Sequence, residues 1–300
     1  MDLSKEQYNQ SVSSSCELLG VSRQVYYRSI QSTRKRKTTA KEVIDLVSQI
    51  RLYMPRVGTR KLYYLLQDSL KEFGVGRDKL FSILKATHML IQPKRSYHIT
   101  TNSHHRFRKH KNRIEELIID RPEQVWVADI TYVGNRSNPM YLSLITDAYS
   151  KKIKGYNVSN SLETKASLKA LKMAIKNRTY PKKSLIHHSD RGLQYCSNEY
   201  QKLINNKEIQ CSMTESYDPY QNAVAERVNG ILKHEFLLNT KNIDLKTMKT
   251  FVKQSIDIYN QYRPHWSCYM LTPNQMHLQN DIKIKTYKNK NLRELQLSEI

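Results

Sequence analysis

Cysteine is scarce in this chain and never paired. Cys16, Cys196, Cys211 and Cys268 stand singly among 300 residues, with no CxxC spacing. That scatter argues against a zinc ribbon and a disulfide frame, and it fits a reducing, cytoplasmic compartment. No apolar run of about 18 residues occurs and no signal-peptide pattern opens the sequence, so neither a membrane-spanning nor a secreted protein is expected. Acid is also in short supply: 27 Asp and Glu face 50 Lys and Arg, a net charge of +23. A field of that size favours a polyanionic partner, with nucleic acid ahead of an anionic membrane surface, while leaving ribosomal, chromatin and enzyme classes open. Apolar residues make up only 39%, so a packed core is expected in part of the chain, helped by the 20 tyrosines.

The pattern along the chain divides it into five stretches. Residues 1–40 read as a helix-turn-helix with a basic linker. Ser13 to Leu19 form the first helix, Gly20 and Val21 the turn, and Ser22 caps a second helix that begins Arg23-Gln24. That placement puts Arg23 and Gln24 at the end that reads a DNA major groove. Arg34-Lys35-Arg36-Lys37 reads as a phosphate-contacting connector. Residues 41–95 form a second helical DNA-binding unit, with apolar stripes at Val43, Val47 and Ile50, at Leu62, Leu65, Leu66 and Leu70, and at Leu80, Ile83 and Leu84. Arg60 and Lys61 stand near a helix start there, where phosphate is favoured. Residues 96–120 are a basic linker, in which His98, His104, His105 and His110 read as solvated rather than as a zinc cluster. Residues 281–300 are a Lys-rich tail that is expected to be mobile.

Between 121 and 280 the hydrophobic period switches from 3.6 to 2 and back. Val125–Val133, Met140–Thr146 and Lys152–Val158 read as strands in antiparallel hairpins. A helix over 163–177, a strand at 185–188, a helix at 199–205, a strand at 209–213 and a long helix over 221–238 follow. This order gives an α/β fold with one mixed five-stranded sheet covered by helices. Three acids stand out against it. Asp129 interrupts an apolar strand, Asp190 follows the fourth strand, and Glu226 lies early in the long helix. Phosphodiester chemistry with hard divalent cations needs such oxygen ligands, and two ions can activate one oxygen while stabilising the other. Asp129 suits the bridging position, with Asp190 and Glu226 on the flanks. Glu226, Asn229 and Lys233 share a helical face, so Lys233 can point at a bound phosphate. Asp147, at the end of the second strand, could line the site and touch metal, and otherwise reads as a strand-end cap. His188 and Arg191 flank Asp190 as candidate contacts, and alternation places His187 on the opposite face from His188.

The surrounding motifs carry a resemblance. Trp126-Val127-Ala128-Asp129-Ile130-Thr131-Tyr132 resembles the first signature of the integrase-like DDE transposases, and His188-Ser189-Asp190-Arg191-Gly192-Leu193-Gln194-Tyr195-Cys196-Ser197 resembles the second. Tyr217 to Glu226 resembles the third, with Lys233 seven residues on. Tyr259-Asn260, Arg263-Pro264-His265 and Thr272-Pro273 resemble the closing motif. Nearly the whole chain is similar to the OrfB-type proteins of the IS-three family of insertion sequences. Its departures are Arg227-Val228-Asn229 after the glutamate, Pro219 before Tyr220, and Gln221 where Asp is common. The resemblance implies an RNase H-like core with Asp129, Asp190 and Glu226 as catalytic metal ligands for two Mg²⁺ or Mn²⁺ ions. It implies 3′-end cleavage followed by strand transfer between terminal inverted repeats and target DNA. A homo-oligomeric synaptic complex and an upstream OrfA-type partner or frameshift fusion are further implications. Two readings compete with it: a purely hydrolytic nuclease on the same fold, and a catalytically inactive DNA-binding regulator.

Overall fold

The computed structural model describes residues 11–92, 110–114, 117–135, 139–214, 222–239, 242–280 and 282–284. The chain divides into two compact units, Met1–Leu52 with Gly58–Ile91 and Tyr53–Val57 with Gln92–Ile300.

The first unit is helical. Helix α1 spans Val12–Leu18 and α2 spans Arg23–Tyr53. Between them Gly20 adopts a φ of 63°, and the Ser22 hydroxyl accepts the Val25 amide, as the turn and cap reading required. The basic run Arg34–Lys37 differs from expectation, because it lies inside α2 rather than in a connector. The 31 residues of α2 hold no glycine or proline, so nothing breaks propagation until Pro55. Only the second half of α2 is anchored, through Val43, Val47 and Ile50. Helices α3 (Thr59–Leu65), α4 (Gln67–Glu72) and α5 (Arg77–Ala86) follow, and bury Leu62, Leu70, Leu80 and Leu84. The single helix expected over Leu62 to Leu70 is split at Leu66, whose φ of −107° and ψ of 11° leave the helical well. No glycine or proline marks that break.

The second unit is built on one sheet. Strands β1 (Val125–Gly134), β2 (Pro139–Asp147) and β3 (Ile153–Ser159) form an antiparallel meander. Strand β4 (Ile186–Ser189) joins β1 in parallel and β5 (Gln210–Met213) joins β4 in parallel, giving the order β3-β2-β1-β4-β5. The helices are α6 (Thr164–Lys176), α7 (Leu193–Cys196), α8 (Asn198–Asn205), α9 (Ala223–His234), α10 (Leu245–Tyr262) and α11 (Pro273–His277). This is the RNase H-like arrangement. Period-2 alternation sorts β1 between two cores. Trp126 and Ala128 pack with Ala170, Leu171, Tyr195 and Tyr200, whereas Val125 and Val127 pack with Ala148 and Ala225. Ile282 and Ile284 pack against the cluster of Tyr149, Cys268 and Met276, so part of the stretch read as a tail belongs to the core; beyond 284 that reading lies outside the described residues.

A buried polar network locks the entry of β1. Lys154 Nζ lies 2.8 Å from Glu123 Oε1, and the Thr179 and Tyr180 amides donate to the same carboxylate at 2.7 and 2.9 Å. Asp147 Oδ2 accepts the Glu123 amide at 2.6 Å and Oδ1 accepts both the Ser150 amide and its hydroxyl at 2.7 Å. His277 of α11 completes it, with Nδ1 2.9 Å from Ser150 Oγ. Burial alone would raise the Glu123 carboxyl; contacts from His277, Lys154 and the two amides outweigh it and hold the group well below the usual range.

Candidate active site

Asp129 has odd parity in β1, so its side chain leaves on the face of Val125 and Val127, under α9. The parallel pairing of Ala128 with Ser189 brings Asp190, the next residue, alongside Asp129. Asp190 is folded into a tight turn: its Oδ1 accepts the Gly192 amide at 3.0 Å. A β-carbon at position 192 would sit 3.0 Å from that oxygen, which gives a steric reason for glycine in the Asp-Arg-Gly motif. Glu226 comes from the first turn of α9 and is exposed. Helix α9 is tied down over β1 by two amides. Asn222 Nδ2 donates to the Ala128 carbonyl at 3.2 Å, and Asn229 Nδ2 donates to Asp129 Oδ2 at 2.6 Å.

The electrostatics report the convergence. Burial, then Asp190, then Glu226 push the Asp129 carboxyl up to about 7, against opposing hydrogen bonds from the Ile130 amide and Asn229. Burial also raises Glu226 and lowers Lys233, whose ammonium is partly supported by the Asp129 charge. The phenol of Tyr195 is buried in the core with Trp126, Ala128 and Tyr200, and is raised by burial, by Tyr200, and by Asp190 and Asp129. The sequence offers Tyr195 only as part of a motif; its place in the core follows from α7 packing beside Trp126 and Ala128.

Other sequence candidates fall as follows. Asn229 is 3% exposed, and its Nδ2 donates to the Asp129 carboxylate. His188 is fully buried, with Nδ1 2.9 Å from Ser212 Oγ, which leaves it no surface to offer DNA. Its neighbour His187 packs on the other face, Nε2 2.9 Å from Tyr200 OH; burial and His188 lower it to about 3, so it is neutral. Asp147 is the strand-end cap described above. Arg191 is partly exposed beside Asp190, and Arg23, Gln24 and Arg60 are exposed with Lys61 partly so. Tyr217 to Gln221 of the third motif, and the 96–109 stretch with three of the four linker histidines, lie outside the described residues.

A hard divalent cation fits the chemistry of this donor set: carboxylate oxygens only, with like charges that raise Asp129 and that a cation would relieve. Among the described residues no group of three or more His, Cys, Asp or Glu is drawn close enough to hold a metal ion. The exposed Glu226 is felt by Asp129 as charge, not as a shared ligand sphere.

Two integrase core domain models match the chain, over residues 119–219 and 207–273. The insertion element IS600 uncharacterized 31 kDa protein of Shigella sonnei is 34% identical over 257 residues, covering 83% of this chain and 92% of that one. Transposase InsF for insertion sequence IS3A of Escherichia coli strain K12 is 30% identical over 181 residues, covering 58% and 62%. The chain belongs to the IS3-type insertion-sequence transposases. Among solved structures, the HTLV-2 integrase catalytic core domain in complex with magnesium is similar to this transposase over 52% of its chain and 97% of the viral one, at 21% identity and a TM-score of 0.42. Among the described residues, no helix of the transposase is long and apolar enough to cross a membrane.

Proposed function

We propose that this transposase cleaves the 3′ ends of an insertion sequence and joins them to target DNA, with Asp129, Asp190 and Glu226 as the metal-holding carboxylates. The observation that supports the reading is that the pairing of Ala128 with Ser189 sets Asp190 beside Asp129, while Asn229 ties the helix that carries Glu226 onto Asp129. Two Mg²⁺ or Mn²⁺ ions bound there would supply Lewis-acid activation of the attacking and leaving oxygens.

The chain's own residues do the positioning. Asn229 and the Ile130 amide donate to the two oxygens of Asp129, Oδ2 at 2.6 Å and Oδ1 at 2.9 Å, and so fix the plane of its carboxylate. The Gly192 amide donates to Asp190 Oδ1. Lys233, seven residues on from Glu226 along one helical face, would pair with a backbone phosphate. Arg191 extends that track, and Arg23, Gln24, Arg60 and Lys61 serve as DNA contacts of the helical unit. The substrates on this reading are terminal inverted repeats and target DNA in the cytoplasm. Synapsis of two ends calls for a homo-oligomer, and an upstream OrfA-type segment would act as a fused or separate partner.

Asp190→Asn tests the assignment, because it preserves shape and removes one charge. Cleavage and joining of labelled terminal-repeat DNA in Mg²⁺ should fall by more than about 10³-fold, while DNA affinity stays within about twofold of wild type. Retained joining by this variant would sink the triad. Products that are cut but never joined, from the wild-type chain, would reduce the function to hydrolysis.

A further inference from the structure

The closing motif Tyr259-Asn260 with Arg263-Pro264-His265 has no part in the chemistry above, yet it forms a buried, hydrogen-bonded polar cluster in the second unit. Arg263, at the C-terminal cap of α10, is 1% exposed and still carries its guanidinium. Two of its nitrogens grip Glu235 in a fork: Nε donates to Oε2 at 2.8 Å and an Nη to Oε1 at 2.7 Å. The other Nη lies 3.0 Å from His265 Nε2, and the guanidinium carbon stands 5.9 Å from the Tyr259 ring centroid. Glu235 is the C-cap residue of α9, the helix that carries Glu226, Asn229 and Lys233. The other end of the motif is fastened to the sheet. Asn260 Oδ1 accepts the Ile153 amide at 3.0 Å and its Nδ2 donates to the Ile153 carbonyl at 3.1 Å, while Tyr259 OH donates to the Lys151 carbonyl at 2.9 Å.

A continuous polar line therefore runs from the start of β3, through α10, to the end of α9. With Arg263 buried and the Glu235 side chain still 19% exposed, such an ion pair is a poor choice for stability alone, since the cost of desolvating the guanidinium offsets much of the attraction. What a planar fork supplies is geometry. Two parallel hydrogen bonds fix rotation and register, whereas an apolar contact tolerates sliding. The end of α9 needs that constraint because its first turn delivers an exposed glutamate to the face of Asp129. A small rotation of α9 moves Glu226 and Lys233 together.

We propose that Arg263, acting through Glu235, is a positioning residue that sets the rotation of α9 and thereby the placing of Glu226 and Lys233 over Asp129. The proposal rests on the triad reading and adds to it the reason for the closing motif.

The test uses the full chain with Arg263→Lys, which keeps the charge and loses the fork, and Glu235→Gln, which keeps the shape and weakens it. Two readouts are followed: kcat and KM for cleavage of terminal-repeat DNA, and Mn²⁺ affinity without DNA, by electron paramagnetic resonance. Both variants should fold, lose about 10–100-fold in kcat with KM within about twofold, and bind Mn²⁺ several-fold more weakly. The double variant should be no worse than the poorer single one, because both break one link. Folded variants with wild-type kcat and Mn²⁺ affinity would overturn the proposal, as would additive losses. Unfolding of both variants would also count against it, making the pair a stability element. Asp190→Asn run beside them separates the two claims: if it keeps activity and Mn²⁺ affinity, the triad reading fails first.

Discussion

Asp129 carries the most perturbed carboxyl of the site, and its behaviour without metal can be worked out. An unfolded Asp titrates near 3.9, roughly, whereas burial, Asp190 and Glu226 push Asp129 up to about 7 in the fold. Between those values the folded chain holds a proton that the unfolded chain has released. The contribution of Asp129 to stability must then fall as pH rises from about 4 through about 7. The sign is opposite to that of Glu123, whose depressed carboxyl stabilises above the unfolded value and loses that contribution as pH falls. In EDTA, the melting temperature of the wild type should therefore decline across that window more steeply than that of Asp129→Asn. Equal slopes for the two proteins would show that Asp129 is not held in a crowded anionic site. Divalent cation should flatten the wild-type slope, since binding needs the deprotonated form. Asn229 belongs to the same scale. It departs from the family pattern after the glutamate, and the 2.6 Å bond to Asp129 gives it a place in the fold.

The seating of α6 on β3 turns on one glycine. A β-carbon on Gly155 would stand 2.1 Å from the Ala170 carbonyl oxygen and 2.7 Å from the Ala174 nitrogen, both backbone atoms that cannot rotate away. Gly155→Ala must push the helix off the sheet. Overpacking of this kind costs about 1–3 kcal/mol, and at roughly 2–4 °C per kcal/mol for a domain of this size the melt should drop by several degrees. An unchanged melt by circular dichroism would mean that the helix does not lie so close. Much at this scale was legible in the sequence. The five strands and their succession along the chain followed from the switch of period, and the three acids proposed for the site stood out because each is embedded in a dense local motif. What was hidden has a physical cause in each case. The break at Leu66 carries no glycine or proline. The Glu123, Lys154 and His277 network joins residues that become neighbours only when the sheet closes, and the fork between Arg263 and Glu235 spans two helices. The run Arg34–Lys37 reads as a connector by charge, but the absence of breakers decides for helix.

That last point sets what the whole molecule can do with its charge. The sequence carries +23, and α2 contributes a basic run in its unanchored half, where residues 31–38 are all exposed. A helix turns about 100° per residue, since 3.6 residues make a turn. Arg34, Lys35, Arg36 and Lys37 therefore point to all sides of the rod. A duplex lying on one side meets about half of them, whereas a flexible connector can bring all four to phosphates. Each phosphate contact contributes about 0.9 to the slope of log K against log salt. Replacing all four with glutamine should thus reduce the slope by about 1.8 if α2 binds as a helix, and by about 3.6 if the run unwinds along the backbone. Wild-type affinity for terminal-repeat DNA should itself fall by about 10³-fold or more between roughly 50 and 200 mM salt, as six or more contacts require. Fluorescence anisotropy across that range measures both. A slope untouched by the four substitutions would remove α2 from the DNA-binding surface, and a flat wild-type response would contradict the reading of the whole charge balance.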